Sequence, residues 1–168
     1  MADASALLEP QIPALRRYAY ALLRDHDLAD DLVQDTLERA LSRWAFRRDD
    51  GDLRAWLFAI QRNLYVSRWR QRRRRGTPVA LDEAPLPGVA PRQEATMEVH
   101  DVLAALDQLP EEQKSLLLLV GVEDFSYDDA ARLLGMPVGT VMSRLSRARQ
   151  RLRAIVETGR TTLLRRVK

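Results

Sequence analysis

The chain has 168 residues, 46% of them hydrophobic, with 27 basic and 24 acidic residues for a formal net charge of +3. That length allows one domain or two small ones, and the apolar content is enough for real cores. There is no cysteine, and the two histidines, His26 and His100, lie far apart, so disulfides and thiolate metal sites are excluded and no metal or cofactor is expected. The opening residues MADASALLEPQIP lack the basic and apolar segments of a signal peptide. The apolar run Leu116–Val120 is far too short to span a bilayer. A soluble, cytoplasmic protein without membrane insertion is expected.

In chain order, the first predicted helices are Pro13–Arg24 and Leu28–Ala45. Asp27 is the expected N-cap of the second, with Asp30 and Asp31 suiting its first turn. Leu28, Leu32, Leu37, Ala40, Leu41 and Trp44 supply its apolar side. Asp31, Gln34, Asp35 and Glu38 form a separate polar stripe at i, i+3, i+4, i+7. Asp25–Glu38 holds six acidic residues and no Lys or Arg. The stripe is either a solvated face or a docking surface for a basic partner. A polar loop, Phe46–Asp52 (FRRDDGD), follows.

The third predicted helix, Leu53–Arg73, carries the strongest signal. Leu53–Gly76 holds eight arginines, four aromatics and no acid. Leu53, Trp56, Leu57, Ile60 and Leu64 read as a buried stripe. Phe58, Arg62, Tyr65 and Trp69 read as a second face on roughly the opposite side. That face either packs on another helix or stacks unpaired bases. Arg72–Arg75 exceed what a helix end needs and point to phosphate contact.

Four of the eight prolines fall in Thr77–Thr96. The stretch reads as a flexible linker between helical domains at about residues 10–75 and 97–160, the linker itself taking 76–96. No strand signal appears, so an all-α fold of two small domains is expected. In the second domain helices are predicted at Val99–Leu106 and Glu111–Val120, with Pro110 at the start of the latter. Ser126 caps a short helix, Tyr127–Leu134, with Asp129 completing a capping-box-like signal. A Gly135 turn leads to a longer helix, opened by Pro137 and running to about Val156.

A short helix, a glycine turn and a longer helix make a helix-turn-helix; the bland alternative is a generic helical hairpin. Val138, Val141, Leu145, Ala148 and Leu152 fall inside. Thr140, Met142, Ser143, Arg144, Ser146 and Arg147 fall outside, where side chains reach base edges in the major groove. Arg144 or Arg147 suits bidentate pairing with guanine. Arg149, Arg151 and Arg153 suit phosphates.

In this order the segments resemble a bacterial sigma factor of the sigma-70 superfamily, extracytoplasmic-function (ECF) class. ADDLVQDTLERAL, Ala29–Leu41, is similar to the region 2 helix that docks on the largest core RNA polymerase subunit. LRAWLFAIQRNL, Leu53–Leu64, is similar to the helix that reads and melts the −10 element. LPEEQKSLLLL, FSYDDAARLLGMPVGTV and SRLSRARQRL are similar to region 4, which reads the −35 element. The YVSRWRQRRRR tail also resembles the alphaproteobacterial general-stress-response group. Two positions depart from the pattern: Met142 stands where a basic residue is frequent, and Ser146 where a larger side chain is.

The resemblance implies a protein that is not an enzyme and has no small-molecule substrate. Its implied partners are core RNA polymerase, promoter DNA (double-stranded at −35, single-stranded at −10) and an anti-sigma factor. Asp31, Gln34, Asp35 and Glu38 become the implied polymerase face. Phe46, Arg47 and Arg48 of the loop, with Arg62, Asn63, Tyr65, Trp69, Arg72 and Arg73, become the −10 site, Asn63 lining a pocket for a flipped base. Thr140, Ser143, Arg144, Arg147 and Arg151 become the −35 site. A stand-alone helix-turn-helix repressor or activator is the alternative, but it has no need of the acidic stripe. A nucleotide-processing enzyme is disfavoured, because no phosphate-binding glycine loop or nucleophile–base pair is visible.

Overall fold

The structure, a computed structural model, describes residues 3–75 and 97–167, with side chains for 3–72, 74–75 and 99–159. All regular elements among them are helical. Contacts divide the chain into two compact units, Met1–Val89 and Ala90–Lys168. The expected linker, 76–96, lies outside the described residues.

The first unit is built on α2 (Ile12–Leu23), α3 (His26–Ser42) and α4 (Leu53–Arg74), preceded by the short α1 (Ala4–Leu8). At the end of α2, Arg24 turns left-handed (φ 56°) and donates its N–H to the Tyr20 carbonyl at 2.7 Å. The reversal places Asp25, not the expected Asp27, at the N-cap: its Oδ1 accepts from the Leu28 N–H at 3.0 Å. Asp27 sits instead in the first turn, where its charge suits the helix dipole. Tyr20 stacks on His26 across the corner, with ring centroids 4.2 Å apart. From this start, Ala29, Leu32, Val33 and Ala40 all point inward.

The core of this unit joins Leu15, Tyr18, Ala19 and Leu22 of α2 to those residues and to Leu57, Phe58 and Ile60 of α4. Phe58 is fully buried, its ring 5.2 Å from Tyr18. Phe58 thus follows one of the two readings of the second aromatic face, packing on another helix. At about 100° per residue, Leu57 and Leu64 lie about 100° from Phe58 and Tyr65, although the stripe and the aromatic face as wholes centre on roughly opposite sides. These four residues are the flanks of one wide inward face, and its midline is Gln61. Gln61 is fully buried and donates Nε2–H to the Leu15 carbonyl at 2.9 Å, while its Oε1 has no hydrogen-bond partner. Of the five residues expected as a buried stripe, Leu57 and Ile60 are buried and Leu53, Trp56 and Leu64 are half-buried.

In the second unit α5 (Met97–Asp107), α6 (Glu111–Leu117) and α7 (Tyr127–Leu134) pack with α8 (Val138–Val167) or its approach. Pro110 precedes α6 as its N-cap, so the helix starts at Glu111 as expected. The helix expected to run to Val120 stays α-helical only to Leu117, then widens into a π-helical turn, Leu118–Val122. Leu116, Leu117, Leu118 and Leu119 are all buried, and the wider turn lets consecutive leucines share the interior. Lys114 Nζ bonds Asp107 Oδ1 at 2.7 Å, tying α6 to α5.

The helix-turn-helix is present. Ser126 Oγ accepts from the Asp129 N–H at 3.0 Å, as expected of the cap. Among the described residues the reciprocal half of the capping box is not formed, and Asp129 Oδ1 instead accepts from Arg132 at 2.9 Å. Gly135 closes α7 with φ 66°, and a Cβ there would meet nothing within 4 Å. Conformation rather than space therefore calls for glycine. The Pro137 carbonyl accepts from Thr140 and Val141 and so starts α8. Val141, Leu145 and Ala148 are buried as expected, with Val138 and Leu152 half-buried.

Candidate polymerase and nucleic-acid interfaces

On α3, Asp31, Gln34 and Glu38 are exposed, and Gln34 Nε2 reaches Glu38 Oε1 at 3.4 Å. The fourth member of the stripe differs. Asp35 is half-buried and its carboxylate pairs with the Arg68 guanidinium of α4. Within the stripe, Asp31 and Glu38 are thus displayed to solvent, Glu38 accepting only from its neighbour Gln34, while Asp35 is engaged by another helix. At the end of α3, Leu41 is also exposed, which adds apolar area next to the acids. Such a face suits a partner with both basic and apolar groups.

The loop after α3 begins with a 3-10 turn, Trp44–Phe46. Trp44 packs edge-on against Trp56, with ring centroids 6.2 Å apart. Arg47 lies over the Trp44 ring, its guanidinium carbon 4.7 Å from the centroid. Its other atoms face Asp49 at 3.8 Å and the Arg48 carbonyl at 3.4 Å, leaving the side chain only 13% exposed. Arg47 thus packs within the loop, over Trp44 and beside Asp49. Arg48 is exposed and Phe46 is 87% exposed. A phenylalanine so displayed contributes little to the core and leaves its ring faces open to solvent. Asp52 ends the loop by capping α4, accepting from the N–H groups of Arg54 and Ala55 at 3.0 and 3.2 Å.

Along α4, Asn63 is exposed, about ten residues or 15 Å of helical rise from Leu53. Among the described residues no hydrogen bond joins it to the loop. Arg62, Tyr65 and Trp69 are half-buried, and the Arg62 Nε is buried without a hydrogen-bond partner. Beyond them Arg70, Arg72, Arg74 and Arg75 are exposed, while the side chain of Arg73 lies outside the described residues. The helix therefore passes from a packed base to a displayed cationic end.

On α8, Ser143, Arg147 and Arg151 are exposed and Thr140 is half-buried. Ser143 Oγ donates to the Thr140 carbonyl at 3.2 Å, so it can still accept. Met142 is 52% exposed on the neighbouring flank. Arg144 is half-buried, and its Nη1 pairs with Glu112 Oε2 of α6 at 2.8 Å. Spacing within α8 gave no sign of this partner, which lies 32 residues earlier. Sequence reasoning also passed over Glu112 and Arg68, which engage Arg144 and Asp35 of the expected sites.

No helix among the described residues is long and apolar enough to cross a membrane. Residues 8–61 match a family model described as the Sigma2 domain of PhyR, and residues 100–152 one described as Sigma-70, region 4. The chain is 44% identical over 145 residues to the ECF RNA polymerase sigma factor EcfG of Rhodopseudomonas palustris, covering 86% of this chain and 80% of that one. It is 36% identical over 141 residues to the ECF sigma factor SigM of Mycobacterium tuberculosis, covering 82% and 69%. Among solved structures it resembles the sigma factor RpoE from Bartonella quintana, solved with the anti-sigma factor NepR. The TM-score is 0.82 and the identity 36%, with 94% of this chain and 98% of that chain covered. Two region matches in order, on two helical units that carry the expected helix-turn-helix and arginine-rich helix, place this chain in the ECF class of RNA polymerase sigma factors.

Proposed function

We propose that the protein directs core polymerase to stress-response promoters through three separate faces. Asp31, Gln34 and Glu38 of α3, with Asp35 behind them, dock on core polymerase. Phe46, Arg48 and Asn63 receive unpaired bases of the −10 strand, and Arg72 and its neighbours hold the phosphates. Thr140, Ser143, Arg144 and Arg147 read the −35 duplex, with Arg151 on the backbone. The domains doing this are residues 10–75 and 97–160, with 76–96 spanning between the two promoter elements. The protein makes and breaks no covalent bond, acts in the cytoplasm and leaves the chemistry to polymerase.

The observation that carries this reading is the 87% exposure of Phe46 in the loop that leads into α4, the helix whose far end carries exposed arginines. Flipping a base out of a duplex costs a few kcal/mol of unstacking. An aromatic surface already in place offsets part of that, since base–aromatic stacking contributes about 1–3 kcal/mol. A stand-alone repressor that reads intact duplex has no use for such a residue.

The similarity to EcfG and to an RpoE solved with NepR supports two further parts of the reading. The protein serves a general stress response, and an anti-sigma factor of the NepR type holds it inactive by covering its polymerase and DNA faces. Mixing the purified chain, core polymerase and a NepR-type protein tests both. Mutually exclusive binding is expected, and a stable ternary complex would contradict it.

A further inference from the structure

We propose that Glu112 is a specificity-determining residue for −35 reading, holding the Arg144 guanidinium toward a base edge and away from indiscriminate phosphate contact. The inference rests on the assignment of α8 to the −35 element. Glu112 lies in the first turn of α6, and its Oε2 is 2.8 Å from Arg144 Nη1. The side chains are 60% and 41% exposed, so water screens the pair and it adds little to folding. A role in recognition accounts better for its position, on the flank of the helix whose outward residues face DNA.

Arg144 and Arg147 differ in this respect. Arg147 is exposed and makes no ion pair among the described residues, so its long side chain samples many rotamers. Arg144 is half-buried and tethered. Guanidinium carries five N–H donors in one plane. With one Nη directed at Glu112, the plane is oriented and other donors remain for the bidentate contact with guanine O6 and N7. The same tether opposes nonspecific binding in two ways. Arg144 must break its pair to follow a passing phosphate, and the Glu112 carboxylate repels phosphates that approach. Discrimination rises while affinity for arbitrary DNA falls.

Glu112 also suits the α6 dipole, next to Glu111. That role affects stability and leaves the ratio between two DNA sequences unchanged, so the ratio is the measurement to make. Holoenzyme is assembled from the full chain and core polymerase. It is bound to a promoter fragment selected by the wild-type holoenzyme and to the same fragment with its −35 element scrambled. Glu112→Gln is expected to bind the scrambled fragment more tightly and to lower the intact-to-scrambled ratio about three- to tenfold. In an Arg144→Ala background, Glu112→Gln should lower the ratio no further. An unchanged ratio in the single variant, or an equal fall with and without Arg144, overturns the proposal. If the wild-type holoenzyme itself binds both fragments equally, the −35 assignment fails first and the role of Glu112 falls with it.

Discussion

Arg68 of α4 pairs with Asp35 of α3, so the arginine-bearing helix is joined to α3 through one of the four residues of its polar stripe, the face proposed to dock on polymerase. The pair changes what substitution at each acid will do. Asp31 is exposed and its reversal acts mainly on a partner, whereas reversal of Glu38 also removes the acceptor of Gln34. Asp31→Lys should abolish capture of core polymerase with no loss of melting temperature, because an attraction becomes a repulsion at a charged interface. Asp35→Asn should weaken capture less, and should cost at most about 1 kcal/mol of stability, since the pair is screened by water. Pull-down alongside thermal unfolding separates the two effects. Wild-type capture by Asp31→Lys would remove α3 from the interface.

The two phenylalanines flanking the start of α4 should behave oppositely. Phe58→Ala empties a fully buried site against Tyr18 and should cost about 3–5 kcal/mol, with every activity lost together as the unit unfolds. Phe46→Ala should leave thermal unfolding within about 0.5 kcal/mol of wild type. It should reduce binding to single-stranded −10 DNA by about 1–3 kcal/mol. Gel-shift titration with a −10 oligonucleotide, beside a melting curve for each variant, checks both.

Asn63→Ala should leave polymerase capture and −35 binding nearly intact but impair opening. A flipped base that loses its hydrogen-bond partner forfeits on the order of 1 kcal/mol. On a template already unpaired across the −10 element the defect should shrink, because part of the unstacking cost is removed in advance. Permanganate reactivity of the −10 strand reports this directly, and full wild-type reactivity would assign Asn63 a different role.

On α8, Arg147→Ala should cost about 1–3 kcal/mol at one −35 position and relax the sequence preference there. Arg151→Ala should instead weaken all promoters by a similar factor and reduce the slope of log affinity against log salt by about one. Binding to a set of singly substituted −35 duplexes at two salt concentrations distinguishes the roles.

The helices and their order were legible because periodicity, proline placement and the Ser126 and Gly135 caps are local signals. What escaped were choices between equivalent local options and partners distant in sequence. Asp25 and Asp27 are both good caps, and the left-handed Arg24 selects the earlier one. Gln61 is polar and belongs to neither expected face of α4. It is buried because one amide reaches the Leu15 carbonyl, a tertiary contact that spacing does not encode. The leucine run in α6 has no period, so nothing in it marks where the α-helix widens. Arg47, Arg68 and Arg144 are equivalent in composition to the other arginines. Only the fold shows that the first is packed over Trp44 and that the others meet Asp35 and Glu112.

Run-off transcription tests the central claim most directly. Purified core polymerase, with and without the chain, is presented with a fragmented genomic library, and the start sites are mapped. The account predicts a new set of starts that share an upstream element and a −10 element at fixed separation. It also predicts that Asp31→Lys eliminates them and that Arg147→Ala re-ranks them. Start sites identical to those of core polymerase alone, or new starts with no shared two-part element, would contradict it.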